Sequence, residues 1–144
     1  MHVHLIGIAG TGMGALAGLL GRAGHQVSGS DSAFYPPMGE ALQAWGIETR
    51  EGFSPANLEP RPDLVVVGNV CRSNNVEARA AIDGGIAYDS FPGAVERFFL
   101  RERSSLIVAG THGKTTTTAL LAYLLDRCGL DPCFLVGGIP RDYG

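Results

Sequence analysis

Val3-His-Leu-Ile-Gly-Ile-Ala-Gly-Thr-Gly-Met-Gly14 begins as a largely apolar run and breaks into glycines. Residues 3–8 read as a buried strand. Residues 11–23, with Met13, Leu16, Ala17 and Leu20 at helical spacing, read as an amphipathic helix that Gly24 ends. A strand, a glycine loop and a helix in that order make the first half of a βαβ unit. Glycines let backbone N–H groups approach a diphosphate, and the helix N-terminus adds positive potential. The dinucleotide fingerprint asks for glycine at the third of its six positions; here that position is Ala9, with Gly10 beside it. The loop alone is therefore also compatible with tight strand–helix packing and no ligand. Ser28-Gly-Ser-Asp31 adds weight, because it ends the next strand about twenty residues on, where a carboxylate reaches a ribose or base. A turn cap is the alternative role for Asp31.

Working outward, the same alternation continues. Strands are expected over 26–29, 47–50, 64–67 and 86–88, and helices over 37–45, 75–83 and 92–100. The run Leu64-Val-Val-Val67 is apolar throughout, as in a strand covered on both faces. This predicts an α/β fold, a Rossmann-like parallel sheet with flanking helices, whose ligands sit at the carboxyl ends of the strands. Arg101-Glu-Arg-Ser104 marks a boundary. Residues 1–103 form the first unit. Residues 104–144 begin a second, with a strand over 106–109, a helix over 115–127 and a strand over 132–136.

Between that strand and helix lies a second glycine loop, Gly110-Thr-His-Gly-Lys-Thr-Thr116. A general P-loop has four residues between its first glycine and Gly-Lys. Val108 stands where that glycine would be, so this loop is a shorter variant. The chemistry is the same. Backbone N–H groups of Gly110, Thr111, His112, Gly113, Lys114, Thr115 and Thr116 can cradle the phosphates of ATP. Lys114 supplies a point charge, and the Thr115 hydroxyl can ligate Mg²⁺. His112 is expected to contribute through its backbone more than its ring. About thirty residues follow this loop, fewer than ATP chemistry needs, so the second unit is expected to be the beginning of an ATP-binding domain.

Composition sets the remaining bounds. The 144 residues are 45% apolar, enough for a core, and the net charge of −3 argues against a nucleic-acid or anionic-membrane binder. No apolar stretch approaches the ~18 residues of a membrane span. Cys71, Cys128 and Cys133 are odd in number and lack metal-ligand spacing, as for reduced thiols in a cytoplasmic protein. The first strand follows Met1 with no basic leader.

Taken together, these motifs resemble the Mur ligases of peptidoglycan synthesis. Gly7-Ile-Ala-Gly-Thr-Gly-Met-Gly14 is similar to that family's uridine diphosphate loop, and Ala109-Gly-Thr-His-Gly-Lys-Thr-Thr-Thr117 to its ATP loop. Asp31-Ser-Ala-Phe-Tyr-Pro-Pro-Met38, Gly68-Asn69 and Phe134-Leu-Val-Gly-Gly-Ile-Pro140 resemble members that attach recovered murein tripeptide to UDP-N-acetylmuramate. Asn74-Asn75 departs from the family's frequent Asn-Pro. The resemblance implies an ATP- and Mg-dependent ligase that activates the muramyl carboxylate as an acyl phosphate and joins it to an α-amine. It implies that Gly7, Ala9, Gly10, Thr11 and Gly12 hold the diphosphate and that Asp31 and Ser32 contact uridine. Asn69 and Arg72 would face the diphosphate or sugar. Lys114 and Thr115 would serve catalysis. It further implies that residues 1–144 bind the sugar nucleotide without catalysing ligation.

Three alternatives carry distinct signatures. A member that adds L-alanine shares both glycine loops. An NAD-dependent oxidoreductase explains residues 1–31 but gives no role to Gly113-Lys-Thr115. A non-catalytic nucleotide-sugar-binding module needs only the first unit.

Overall fold

The computed structural model describes residues 1–69, 71 and 74–138. Five parallel strands form one sheet: β1 His2–Ile6, β2 Gln26–Asp31, β3 Glu48–Glu51, β4 Leu64–Val67 and β5 Tyr88–Ser90. Their order is β3-β2-β1-β4-β5. Progress along the sheet therefore reverses between β1 and β4, and crossovers leave that point in opposite directions, which opens a crevice at the carboxyl ends.

Period-2 alternation decides which residue meets which layer. Val3 and Leu5 of β1 point, with Leu64 and Val66 of β4, into the larger core. There they meet Met13, Leu16 and Leu20 of helix α1 (Thr11–Arg22), Leu42 of α2 (Met38–Ala44) and Ala94 of α4 (Phe91–Val95). Ile6 and Val65 point the other way. They pack with Leu58 of the 3₁₀ turn Pro55–Leu58 and Ala81 of α3 (Val76–Asp83). Each buried Leu or Ile contributes roughly 1.5–3 kcal/mol of transfer free energy, so β1, buried on both faces, anchors the fold.

Local signals place the helices. Asn75 caps α3 by accepting from the amides of Glu77 and Ala78, both at 3.0 Å. Ser90 caps α4 by accepting from Gly93 N at 3.2 Å, with Pro92 in the first turn, where its missing N–H costs nothing. The predicted helix over 92–100 becomes α4 followed by a wider π turn, Glu96–Leu100. The strand expected over 86–88 forms two residues later, at β5, because Ile86 turns into the smaller core. The 3₁₀ turn has no counterpart in the sequence reading.

In the second unit, helix α5 (Lys114–Arg127) forms as expected. The strands expected over 106–109 and 132–136 do not: among the described residues no strand follows β5. A β-branched run becomes a strand only where a neighbour completes its hydrogen bonds. Both edges of the sheet belong to the first unit, and Leu106 and Ile107 are 66% and 87% exposed.

Candidate functional site

The first glycine loop sits at the carboxyl end of β1, beside the reversal in strand order. Gly7 adopts φ +87°, which an L side chain resists, and this lets two successive amides turn onto one acceptor. Gly7 N and Ile8 N donate to Ser30 O at 2.8 and 3.1 Å, tying the loop to β2. Gly10 precedes α1, and no side chain caps that helix. The first-turn amides from Thr11 onward thus lack intrahelical acceptors and are available to an anion. Gly14 lies against the buried Met38, where a Cβ would collide with the thioether, so this glycine serves packing between α1 and α2. Phe91 covers the other side of the helix start, its ring 3.5 Å from where a Cβ on Gly12 would stand.

Asp31 fastens this loop from the end of β2. Its Oδ2 accepts from Ala9 N at 2.9 Å, and its Oδ1 accepts from Ser32 N at 2.7 Å. The carboxylate is half-buried and keeps acceptor capacity for a ligand. The turn-cap role considered for Asp31 is thus observed, and its carboxylate can accept a further hydrogen bond. Beside it opens a cleft of about 590 Å³, lined by Asp31, Ser32, Phe53, Cys71, Asn74, Asn75 and Val76. The loop after β4 closes over β1: Gly68 N donates to Ile6 O at 2.9 Å, and the Cys71 thiol reaches the same carbonyl at 3.6 Å. Burial, with the Asp31 carboxylate nearby, pushes the Cys71 thiol above its ordinary pKa. Asn69 is exposed on this loop, and Arg72 lies outside the described residues.

Beneath the cleft lies a buried polar network that the sequence reading missed. Glu77 is fully buried. Its Oε1 lies 2.6 Å from His4 Nε2 and accepts from Ser30 Oγ at 2.7 Å. Its Oε2 accepts from Ser54 N at 3.0 Å and Asn57 Nδ2 at 2.8 Å. Ser28 Oγ continues the chain, 2.8 Å from His4 Nδ1 and 2.8 Å from His2 Nε2. Burial alone would raise the Glu77 carboxyl pKa. The hydrogen bonds from His4, Ser30, Asn57 and Ser54 outweigh it and hold the group below the usual glutamate value.

The second glycine loop is exposed from Gly110 to Thr116. Gly113 takes φ +75° and turns the chain into α5, which also lacks a side-chain cap. Lys114 Nζ donates to Gly110 O at 2.7 Å and Thr111 O at 3.3 Å, so the cation lies across its own loop. The Thr115 hydroxyl is exposed, and His112 Nδ1 lies 3.2 Å from Thr111 Oγ1. No acidic side chain interrupts residues 110–116, so the loop fits a polyphosphate carrying its own magnesium.

Gly137 and Gly138 link the two loops. A Cβ on Gly137 would stand 3.6 Å from Thr11 Oγ1, and one on Gly138 would stand 3.8 Å from Thr115 Cγ2. The first turns of α1 and α5 therefore flank one two-residue stretch. A larger cavity of about 670 Å³, with Trp45, Phe99, Arg103 and Phe134 in its wall, is lined by none of the predicted ligand-binding or catalytic residues.

Known proteins resemble this chain in sequence and in fold. A tripeptide ligase of Escherichia coli K12, UDP-N-acetylmuramate–L-alanyl-γ-D-glutamyl-meso-2,6-diaminoheptandioate ligase, is 45% identical over 143 residues, covering 99% of this chain and 31% of that protein. The crystal structure of a murein peptide ligase from Psychrobacter arcticus 273-4 superposes with TM-score 0.89 at 46% identity, over 97% of this chain and 29% of that one. The UDP-N-acetylmuramate–alanine ligase of Thermotoga maritima gives TM-score 0.90 at 30% identity, over 99% of this chain and 33% of that one. The chain thus spans about a third of the length of these relatives. The model of the Mur ligase family, catalytic domain, matches residues 2–103, the span that holds the sheet, the first glycine loop and Asp31. On that match, and on a sheet shared with solved members, the chain belongs to the Mur ligase family.

Proposed function

We propose that this chain supplies the sugar-nucleotide-binding unit and the ATP loop of a ligase joining murein tripeptide to UDP-N-acetylmuramate, in the cytoplasm, during peptidoglycan recycling. The observation that carries this is the placement of two uncapped glycine-loop helices on either side of Gly137 and Gly138. One loop suits a diphosphate and the other a triphosphate, and an acyl-phosphate route needs both near one carboxylate. Residues 1–103 form the sugar-nucleotide unit, and residues 104–144 open the ATP unit.

Gly7, Ala9, Gly10, Thr11 and Gly12 take the diphosphate on backbone amides. Asp31 and Ser32 meet the uridine. Asn69 and Arg72 face the diphosphate or sugar. In the second loop Gly110, Thr111, His112, Gly113 and Thr116 offer amides. Lys114 leaves its loop carbonyls to meet phosphate, and Thr115 offers a hydroxyl to magnesium. When bound, ATP supplies the phosphoryl group that activates the muramyl carboxylate. The protein's own part is to orient and to neutralise charge.

The tripeptide reading rests on identity of 41–46% with tripeptide ligases across nearly the whole chain. L-alanine ligases at 41–42% identity make the alanine reaction the second reading. Ligation by the whole protein decides between them. Phosphate release that depends on tripeptide and not on L-alanine is expected; the reverse preference overturns the tripeptide assignment. Cofactor fluorescence on adding NAD checks the oxidoreductase reading, and no change is expected.

A further inference from the structure

We propose that Glu77 is the positioning residue of the nucleoside cleft, fixing its walls without touching the ligand. This rests on the reading above, that the cleft beside Asp31 takes the nucleoside end of a sugar nucleotide. The walls come from separate segments of chain: Asp31 and Ser32 at the end of β2, Phe53 before the 3₁₀ turn, Cys71 after β4, and Asn75 and Val76 at the start of α3. Each segment is anchored at the Glu77 carboxylate, or one step from it. Ser30, which precedes Asp31, donates to Oε1. Ser54, which follows Phe53, donates its amide to Oε2, and Asn57 donates to the same oxygen. Val76 and Asn75 immediately precede Glu77, and Asn75 in turn accepts the Glu77 amide. His4 adds β1, whose Ile6 carbonyl receives the Cys71 thiol.

An apolar side chain at position 77 would suffice merely to pack α3 on the sheet. Burying a carboxylate costs several kcal/mol unless its partners are held in good geometry. Here four donors from three segments satisfy it, so the position of each wall is coupled to the others. The first glycine loop is held differently, through Ser30 O and Asp31. Neither the Ser30 carbonyl nor the Asp31 carboxylate bonds Glu77 itself, so the network acts more directly on the nucleoside end than on the diphosphate end.

The test is calorimetry on the 144-residue chain, wild type and Glu77→Gln, with UDP and with inorganic pyrophosphate, well below both melting temperatures. Wild type is expected to bind UDP. Glu77→Gln is expected to weaken UDP about ten-fold through sub-ångström displacement of the walls, with pyrophosphate affinity and UDP stoichiometry unchanged. Equal UDP affinity in the two proteins overturns the positioning role and leaves the sugar-nucleotide reading standing. Equal loss for both ligands, or lost stoichiometry at unchanged affinity, shows a structural role only and also overturns it. Wild type that binds no UDP overturns the underlying reading, and this inference with it. If Glu77→Gln does not fold, Asn57→Ala and Ser30→Ala each remove one donor. A selective loss of UDP affinity in either supports the role, and none in both overturns it.

Discussion

At Glu77 four donors converge on one carboxylate that solvent does not reach. Its energetic sign follows from its depressed pKa. The unfolded group titrates near the ordinary glutamate value of about 4.5, and the folded group titrates lower. Its contribution to stability is therefore complete above about pH 4.5 and is lost as pH falls through the folded value. Urea denaturation should show wild type exceeding Glu77→Gln at neutral pH, with the gap closing as the solution is acidified below about pH 4.5. A gap that widens on acidification would contradict this. Glu77→Ala should cost about 3–5 kcal/mol at neutral pH, because it leaves His4, Ser30 and Asn57 without their common acceptor. Asp31 works at the carboxyl end of β2, next to Ser30. Asp31→Ala frees the Ala9 and Ser32 amides together, so UDP affinity should fall by about ten-fold, as for one or two lost hydrogen bonds to a charge. Unchanged affinity in calorimetry would show that Asp31 meets neither loop nor ligand in the bound state.

The two glycine-loop elements share a design and differ in support. The first is pinned to β2 by three backbone amides. The second has its lysine lying on its own carbonyls. Lys114→Ala should weaken ATP binding at least roughly ten-fold, given the ~1.5–3 kcal/mol of a charge-assisted hydrogen bond, and leave UDP binding unchanged. Loss of both ligands together would mean that the substitution unfolds more than its loop. The sequence made β1, β4, α1 and α5 legible because each carries its own periodicity or its own glycine punctuation. It over-read residues 106–109 and 132–136, since an apolar run states a preference for a sheet and does not supply the neighbouring strand. Glu77 was invisible for another reason. Beside Asn75 it reads as an ordinary first-turn acid, and its partners His4 and Ser30 lie 73 and 47 residues away. Hydrogen exchange tests the difference between the units. Amides of 106–109 should exchange much faster than those of β1, which pair into ladders on both sides. Equal protection in a dilute monomer would show that the second unit is as well ordered as the first.

Across the whole molecule, burial is concentrated in the first unit. Among the described residues, the buried apolar ones beyond residue 103 are Ala122 and Val136, while Leu120, Tyr123, Leu124 and Leu130 of the second unit are exposed. A ligand that binds the first loop therefore stabilises a packed sheet, whereas a ligand on the second loop holds a helix with few buried contacts. The proposed ligation requires both ligands, but this chain should rank them. UDP-N-acetylmuramate should bind more tightly than ATP, because its amides, Asp31 and cleft are already fixed, and preorganisation lowers the ordering cost of binding. Stability follows by mass action: at a ligand concentration one hundred times Kd the folded state gains about 2.7 kcal/mol, worth about ten degrees in Tm for a unit of this size. In parallel melting curves at equal concentration, the sugar nucleotide should raise Tm well beyond ATP with magnesium. A larger shift with ATP would mean that the second loop is the better-formed site. That would reverse the assignment of order to the first unit.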